Sequence, residues 1–167
     1  MDDFSKSILR EPLPVEKELP VPRKGKREAA VDTLDHLASV VLLERAAYLR
    51  KLAKLSDGSA SEVLREYPQH TIHLLVRSRN GAAEQHEKFA DVFFVLEGRA
   101  ALVTGGVIAN AKTIAPGEVR GDCVEGGTRQ ELRAGDVAHV PAGLPHQMLV
   151  AGEKSVTCLV LKIQQVV

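Results

Sequence analysis

The sequence predicts an all-β barrel preceded by one helix and an extended arm, and three observations predict it. From about Ser61 onward, short runs of β-branched and aromatic residues alternate with turns that contain glycine. Before them, over Leu37 to Leu55, apolar residues recur at spacings of three and four. Ahead of that, residues 1–30 hold Pro12, Pro14, Pro20 and Pro22, half of the eight prolines in the chain. The organisation expected is therefore an arm at 1–30, a helical segment at 31–60 and a barrel at 61–167.

In the arm, proline removes backbone donors and the charges of Lys24, Lys26, Arg27 and Glu28 resist burial, so no regular element forms. It is either a disordered tail or an arm packed on a neighbouring subunit. The helix is expected around Leu42 to Lys54. Val41, Leu42, Ala46, Leu49, Leu52 and Ala53 make its apolar face, with Glu44, Arg45, Arg50, Lys51 and Lys54 between them. Ser56-Asp57-Gly58 stops it, because glycine takes the left-handed conformation after a last turn. The strand runs are Thr71–Arg77, Asp91–Leu96, Ala100–Thr104, Val119–Val124, Val137–Val140 and Val156–Ile163. Thr104-Gly105-Gly106-Val107 reads as a hairpin turn.

Bulk properties exclude several function classes. A chain of 167 residues suits one domain with a continuous core. Twenty-two basic side chains balance 22 acidic ones, so no net field draws nucleic acid or anionic lipid. With no tryptophan and 2 tyrosines, there is no platform for stacking sugars or single-stranded bases. Cys123 and Cys158 are sparse and far apart, and are expected as reduced thiols. The start Met1-Asp2-Asp3-Phe4 lacks the basic and apolar regions of a secretory signal, and no run approaches the roughly 18 apolar residues of a membrane span. A cytoplasmic protein is expected. Arg120-Gly121-Asp122 spells an integrin-type tripeptide by coincidence, its glycine expected to serve a turn.

One string carries more than fold. Gly135-Asp136-Val137-Ala138-His139-Val140-Pro141-Ala142-Gly143-Leu144-Pro145-His146 ends one strand, turns, and delivers a histidine to the next. It resembles the second cupin motif: glycine, five residues, Pro-x-Gly, two residues, histidine. The asparagine that trails the motif would fall at Val150. Upstream, Gly98, Asp91 and His86 resemble the end of the first cupin motif, with Asp91 at its glutamate position, His86 at its second histidine and Glu84 at its first. The motif's leading glycine would fall at Ser78, with Gly81 nearby. Together the motifs cover roughly residues 78 to 150. The resemblance implies a cupin double-stranded β-helix, or jelly-roll barrel, and a metal held by Glu84, His86, Asp91 and His146.

Elementary geometry agrees with that implication. Residues two apart on a strand share a face, so Glu84 and His86 can both point inward, and Asp91 can converge from an adjacent strand. Two imidazoles and two carboxylates suit one divalent ion among zinc, manganese, iron, cobalt and nickel. Asp91, one methylene shorter than glutamate, either reaches the ion or pairs with Lys88 across the turn. Glu84 either ligates or accepts hydrogen bonds at the rim. His139, Lys88 and Phe93 are candidates for the second shell or the pocket wall. His70 and His73, three apart, face opposite ways and cannot share an ion.

Two functions follow. One is a barrel that holds a divalent metal in its pocket and either binds a small organic molecule or converts it, as an enzyme of oxygenase or isomerase type. The alternative is a metal-free, non-catalytic module that binds a small ligand. No nucleic-acid or membrane partner is expected. A homodimer is expected, because Asp91–Leu96 has apolar residues on both faces and both need cover.

Overall fold

The computed structural model describes residues 36–150 and 154–165. The expected arm at 1–30 lies outside the described residues. Leu37–Val167 form one compact unit.

Helix α1 spans Ser39–Leu55, starting three residues before the expected Leu42, and buries Leu42, Ala46, Leu49 and Ala53 on one face. Its spacing of four, three and four is the period that sets one stripe against a core. The stop falls where expected: Gly58, at φ +92, donates its N–H to the Ala53 carbonyl at 3.1 Å.

Among the described residues thirteen strands follow: β1 Ser59–Glu66, β2 His70–Arg77, β3 Ala83–His86, β4 Phe89–Glu97, β5 Arg99–Thr104, β6 Val107–Ile108, β7 Lys112–Ala115, β8 Glu118–Gly121, β9 Val124–Glu125, β10 Thr128–Arg133, β11 Val137–Val140, β12 His146–Leu149 and β13 Val156–Gln164. They form a five-stranded sheet, β1-β2-β13-β4-β11, and a six-stranded sheet, β10-β5-β12-β3-β8-β7, with a small β6-β9 ribbon. Every pairing is antiparallel.

Strand alternation makes the core. Phe93, Val95, Val140, Val156, Cys158 and Val160 of the first sheet meet Ala100, Leu102, Leu132, Met148 and Val150 from the second. On the outer face of the first sheet, Leu74 and Val76 pack against Ala46, Leu49 and Ala53 of α1. Ion pairs from Arg45 to Glu62 and from Arg50 to Glu97 fasten the helix at its flanks. Leu96 is covered by this helical cluster, whereas Phe94, on the same outward face, is 37% exposed.

Three local expectations need correction. Gly105 and Gly106 do have positive φ, +78 and +69, but they do not close a hairpin. β5 pairs with β10 and β6 with β9, so these glycines bend one arm of a longer ribbon between consecutive pairings. The run Val119–Val124 is split into β8 and β9. At the split, Gly121 serves a close approach rather than a turn: any side chain there would collide with Ile108 and the Ala109 carbonyl. Among the described residues, no helix is long and apolar enough to cross a membrane.

Candidate metal centre

Glu84, His86, Asp91 and His146 come together at one inner corner of the barrel, each offering a ligand atom within 4.8 Å of the others. Glu84 and His86 project from β3 on one face. His146 opens β12 directly opposite Glu84 in the antiparallel register. The turn before it is tied down by Gly143, at φ +78, whose N–H donates to the His86 carbonyl at 2.7 Å. Only glycine adopts that φ without strain, which is why Pro-x-Gly precedes the histidine. Asp91 does not arrive from an adjacent strand as expected. It projects from β4 of the facing sheet, so the cluster bridges the two sheets.

His86, Asp91 and His146 are buried, and Glu84 is largely so. The Nε2 atoms of His86 and His146 each lie 3.4 Å from Asp91 Oδ2, and 3.4 and 4.0 Å from Glu84 Oε2. The other ring nitrogens fix the tautomers. His86 Nδ1 donates to Glu118 Oε2 at 2.6 Å, and His146 Nδ1 to the Leu144 carbonyl at 3.2 Å. Both Nε2 lone pairs therefore face the shared space, and His146 Nε2, buried, has no hydrogen-bond partner among the described residues.

These residues fit a metal. Donors bound to one ion at about 2.1 Å lie no more than about 4.2 Å apart, so gaps that are all within 4.8 Å need close by no more than about 0.6 Å. Imidazoles whose Nδ1–H is held by an oxygen are what an ion of this class selects.

Cations crowd the same corner. Lys162, on β13 and in register with Asp91, places Nζ 2.9 Å from Asp91 Oδ1 and 2.9 Å from His86 Nε2. Arg120, on β8 and in register with Glu84, pairs with Glu84 Oε2, while Arg77 Nη2 stands 3.6 Å from Glu84 Oε1. Burial pushes the Glu84 carboxyl up, but the neighbouring His86 and Arg120 side chains and the charge of Arg120 outweigh it and hold the group at about 2. Asp91 feels the same cost of burial, yet His146, His86 and Lys162 hold it well below the usual carboxylate range. Burial lowers the His86 pKa, but Asp91 and Glu84 raise it to about 9 against the opposing charge of Lys162. An ammonium at 2.9 Å nevertheless needs a lone pair on Nε2. With Lys162 donating to Nε2 the ring is neutral, and Asp91 and Glu84 draw a proton to the same nitrogen in competition with the ammonium.

Beside the cluster lies a cavity of about 330 Å³, walled in part by Ser59, Ser61, His73, Phe93, Arg77 and Lys162. Of the three residues expected around the site, Phe93 lines this cavity, its ring edge-on to His146 at 6.3 Å. The other two do not. Lys88 is exposed in the turn between β3 and β4, and the lysine that meets Asp91 is Lys162. His139 is exposed on the outward face of β11, because Ala138 and Val140 take the inward positions. His73 faces the cavity and bonds Thr71 Oγ1 at 2.7 Å, while His70 stacks on Tyr67 at 4.5 Å. Cys123 and Cys158 are both free thiols, and burial pushes that of Cys158 up to about 12.

The sequence reading missed Glu118, Lys162, Arg77 and Arg120. Lys162 left a signal, as the only charge within the apolar run Val156–Ile163. Arg77 left a weaker one at the end of its run. Glu118 and Arg120 left none, since β8 is short and polar.

No family model matches the chain, and no curated protein matches it. Solved structures do. TT1209 from Thermus thermophilus is 18% identical, with 73% of this chain and 93% of that chain covered at a TM-score of 0.52. A cupin 2 conserved barrel domain protein from Salinispora arenicola CNS-205 is 17% identical, with 65% and 78% covered at 0.45. The DMSP lyase DddQ from Ruegeria pomeroyi DSS-3 is 19% identical at 0.48; 66% of this chain is covered, and it spans 49% of that one. At such identities the likeness is one of fold alone. With two facing antiparallel sheets, a leading helix and the Pro-x-Gly turn that delivers His146, the chain has a cupin-type β-barrel fold.

Proposed function

We propose that this barrel holds one divalent metal ion on His86, His146, Asp91 and Glu84 and takes a small organic molecule into the adjoining cavity for conversion. The observation that carries the reading is the pair of Nε2 lone pairs, turned inward by Glu118 and the Leu144 carbonyl onto two carboxylates that stay ionised at neutral pH. When bound, such an ion polarises a carbonyl or supplies redox chemistry, as zinc, manganese, iron, cobalt and nickel sites do. The chain's own part is to orient and to exclude. Glu118 fixes the His86 ring, Phe93 and Met148 keep one cavity wall dry, and Arg120 holds Glu84 in its rotamer.

Metal content tests it. Protein purified without chelators or nickel resin is expected to carry close to one first-row ion per chain, and His146→Ala to lose it. Binding a native-state ligand stabilises the fold by linkage, so added metal should raise the Tm of the wild type and leave that of the alanine variant unchanged. Full metal retention by His146→Ala would contradict the assignment.

One observation favours a second reading, the metal-free binding module. Lys162 Nζ already stands among the donors as a cation. On that reading the cluster is a closed ion-pair network and the cavity alone is functional. Wild-type protein that takes up no first-row ion at millimolar concentration would support it.

A further inference from the structure

The cavity wall carries more positive charge than the metal site consumes. Lys162, Arg77 and Arg120 all face it, against the Glu84 and Asp91 carboxylates. Each cation now leans on one of those carboxylates, and a divalent ion drawn onto Glu84 and Asp91 would take over their negative charge. Three cations would then line a small, partly closed space, where an anion would offset the cost of holding their charges together and partly away from water.

Arg77 is the cation least committed to the cluster. Its nearest carboxylate oxygen is 3.6 Å away, beyond hydrogen-bond length, and its buried Nε has no partner among the described residues. Its guanidinium packs close to Gly81, where an added Cβ would come within 2.8 Å of Cζ and Nη1. Ser59, in register with Arg77 across β1 and β2, and Ser61 add two hydroxyls to the same wall. A rigid fork of donors beside hydroxyls matches the two oxygens of a carboxylate, and an arginine meets such a group with two parallel hydrogen bonds.

We infer that the small molecule taken into this cavity is an organic acid whose carboxylate is bound by Arg77, with the rest of the molecule directed toward His146 and Asp91. The inference rests on the function proposed above and adds the substrate class. The volume of about 330 Å³ is near the lower end for ligand pockets, so the acid is small. Arg77 is a binding residue here, not a metal ligand.

Calorimetry on cobalt-loaded protein tests it, with acetate, malonate and succinate set against acetamide, malonamide and succinamide. At least one acid should bind tenfold or more tightly than its amide, and Arg77→Gln should lose that preference while keeping its metal content and Tm. Arg77→Lys, which keeps the charge and loses the fork, should retain part of it. If no acid is distinguished from its amide, or if Arg77→Gln binds the acid as the wild type does, the inference is wrong. A loss of metal in Arg77→Gln and Arg77→Lys alike would also overturn it, by making Arg77 a support for Glu84. Metal per chain is measured separately. Wild-type protein that binds no metal yet prefers the acid through Arg77 would sink the metal reading and leave this one standing; a metal-loaded chain indifferent to acids would do the reverse.

Discussion

Replacing Lys162 with methionine separates the two readings of the site. Lys162 Nζ lies 2.9 Å from both His86 Nε2 and Asp91 Oδ1, two of the atoms an ion would use, so ammonium and ion cannot occupy the corner together. Even after the lysine swings away, its charge repels the ion. At about 5 Å and in a medium as screening as water, a single charge and a double charge repel by about 1.7 kcal/mol, more where water is partly excluded. Methionine keeps the length of the stem and removes that term, so metal should bind at least about tenfold more tightly to Lys162→Met. The metal-free variant should be less stable. Breaking a buried ion pair costs about 3 to 5 kcal/mol, but Lys162 is 28% exposed and Asp91 keeps two histidines beside it, which brings the loss to about 1 to 3 kcal/mol. The assay is competition against a chelating dye for affinity, with thermal melts in chelator and in excess metal. The expected pattern is a lowered Tm without metal and a larger rise on loading than the wild type shows. An affinity that is unchanged or weaker in Lys162→Met would refute the reasoning, since it would mean that the ion does not compete with the ammonium for the same donors.

Glu118→Ala frees the His86 ring to rotate and should weaken metal binding by about 10- to 100-fold, while Glu118→Gln, which still accepts from Nδ1, should recover most of it; dye competition reads both. Acid should destabilise the metal-free barrel in a stated window. Glu84 and Asp91 sit below their usual 4.5 and 3.8, so the stability they contribute is present above those values and is lost as pH falls through the folded ones, about 2 for Glu84. Melts in chelator between pH 5 and 2 should show the Tm falling, with a shallower fall in Glu84→Gln. Phe94, 37% exposed and paired with Val137, 57% exposed, leaves an apolar patch on the outer sheet that a second copy would cover. Light scattering should give a dimer mass for the wild type and a monomer mass for Phe94→Asp.

What the sequence revealed and what it hid follow from where each strand sits. β2, β4, β5, β11 and β13 were legible because they carry runs of β-branched and aromatic residues, and the core is built from their inward positions. β1, β7 and β10 were not. All three lie at sheet edges, and Thr128–Arg133, for example, buries only Leu132. An edge strand with a solvated face has polar composition and is hard to tell from a loop. The two-residue ribbon of β6 and β9 was equally silent, and its glycines suggested a hairpin where the pairing simply changes partner. The same logic governs the site. His86, Asp91 and His146, which the structure brings together, could be named as candidates because they sit in short strings with fixed spacing. His139 was misassigned because strand parity can be counted from sequence, whereas which parity faces inward depends on the sheet opposite.

The charges missed by the sequence reading explain the residue that most departs from the motif. A carboxylate where the motif has a histidine adds a negative charge to a buried corner, and an uncompensated one there would be expelled or protonated. Here each carboxylate has a cation at the same level on a neighbouring strand: Arg120 stands in register with Glu84, and Lys162 with Asp91. Cross-strand pairs of this kind are set by register, so partners 36 and 71 positions apart in the chain become neighbours once the strands align. Glu84, Arg120 and Lys162 are therefore best treated as one unit. Removing either cation alone leaves a carboxylate drawn more strongly to metal, whereas restoring histidine at position 84 alone leaves Arg120 without its partner. The departure at Glu84 is thus no sign of a decayed site: the charge it adds is balanced by Arg120 and flanked by Arg77, the residue that the proposed organic acid would engage.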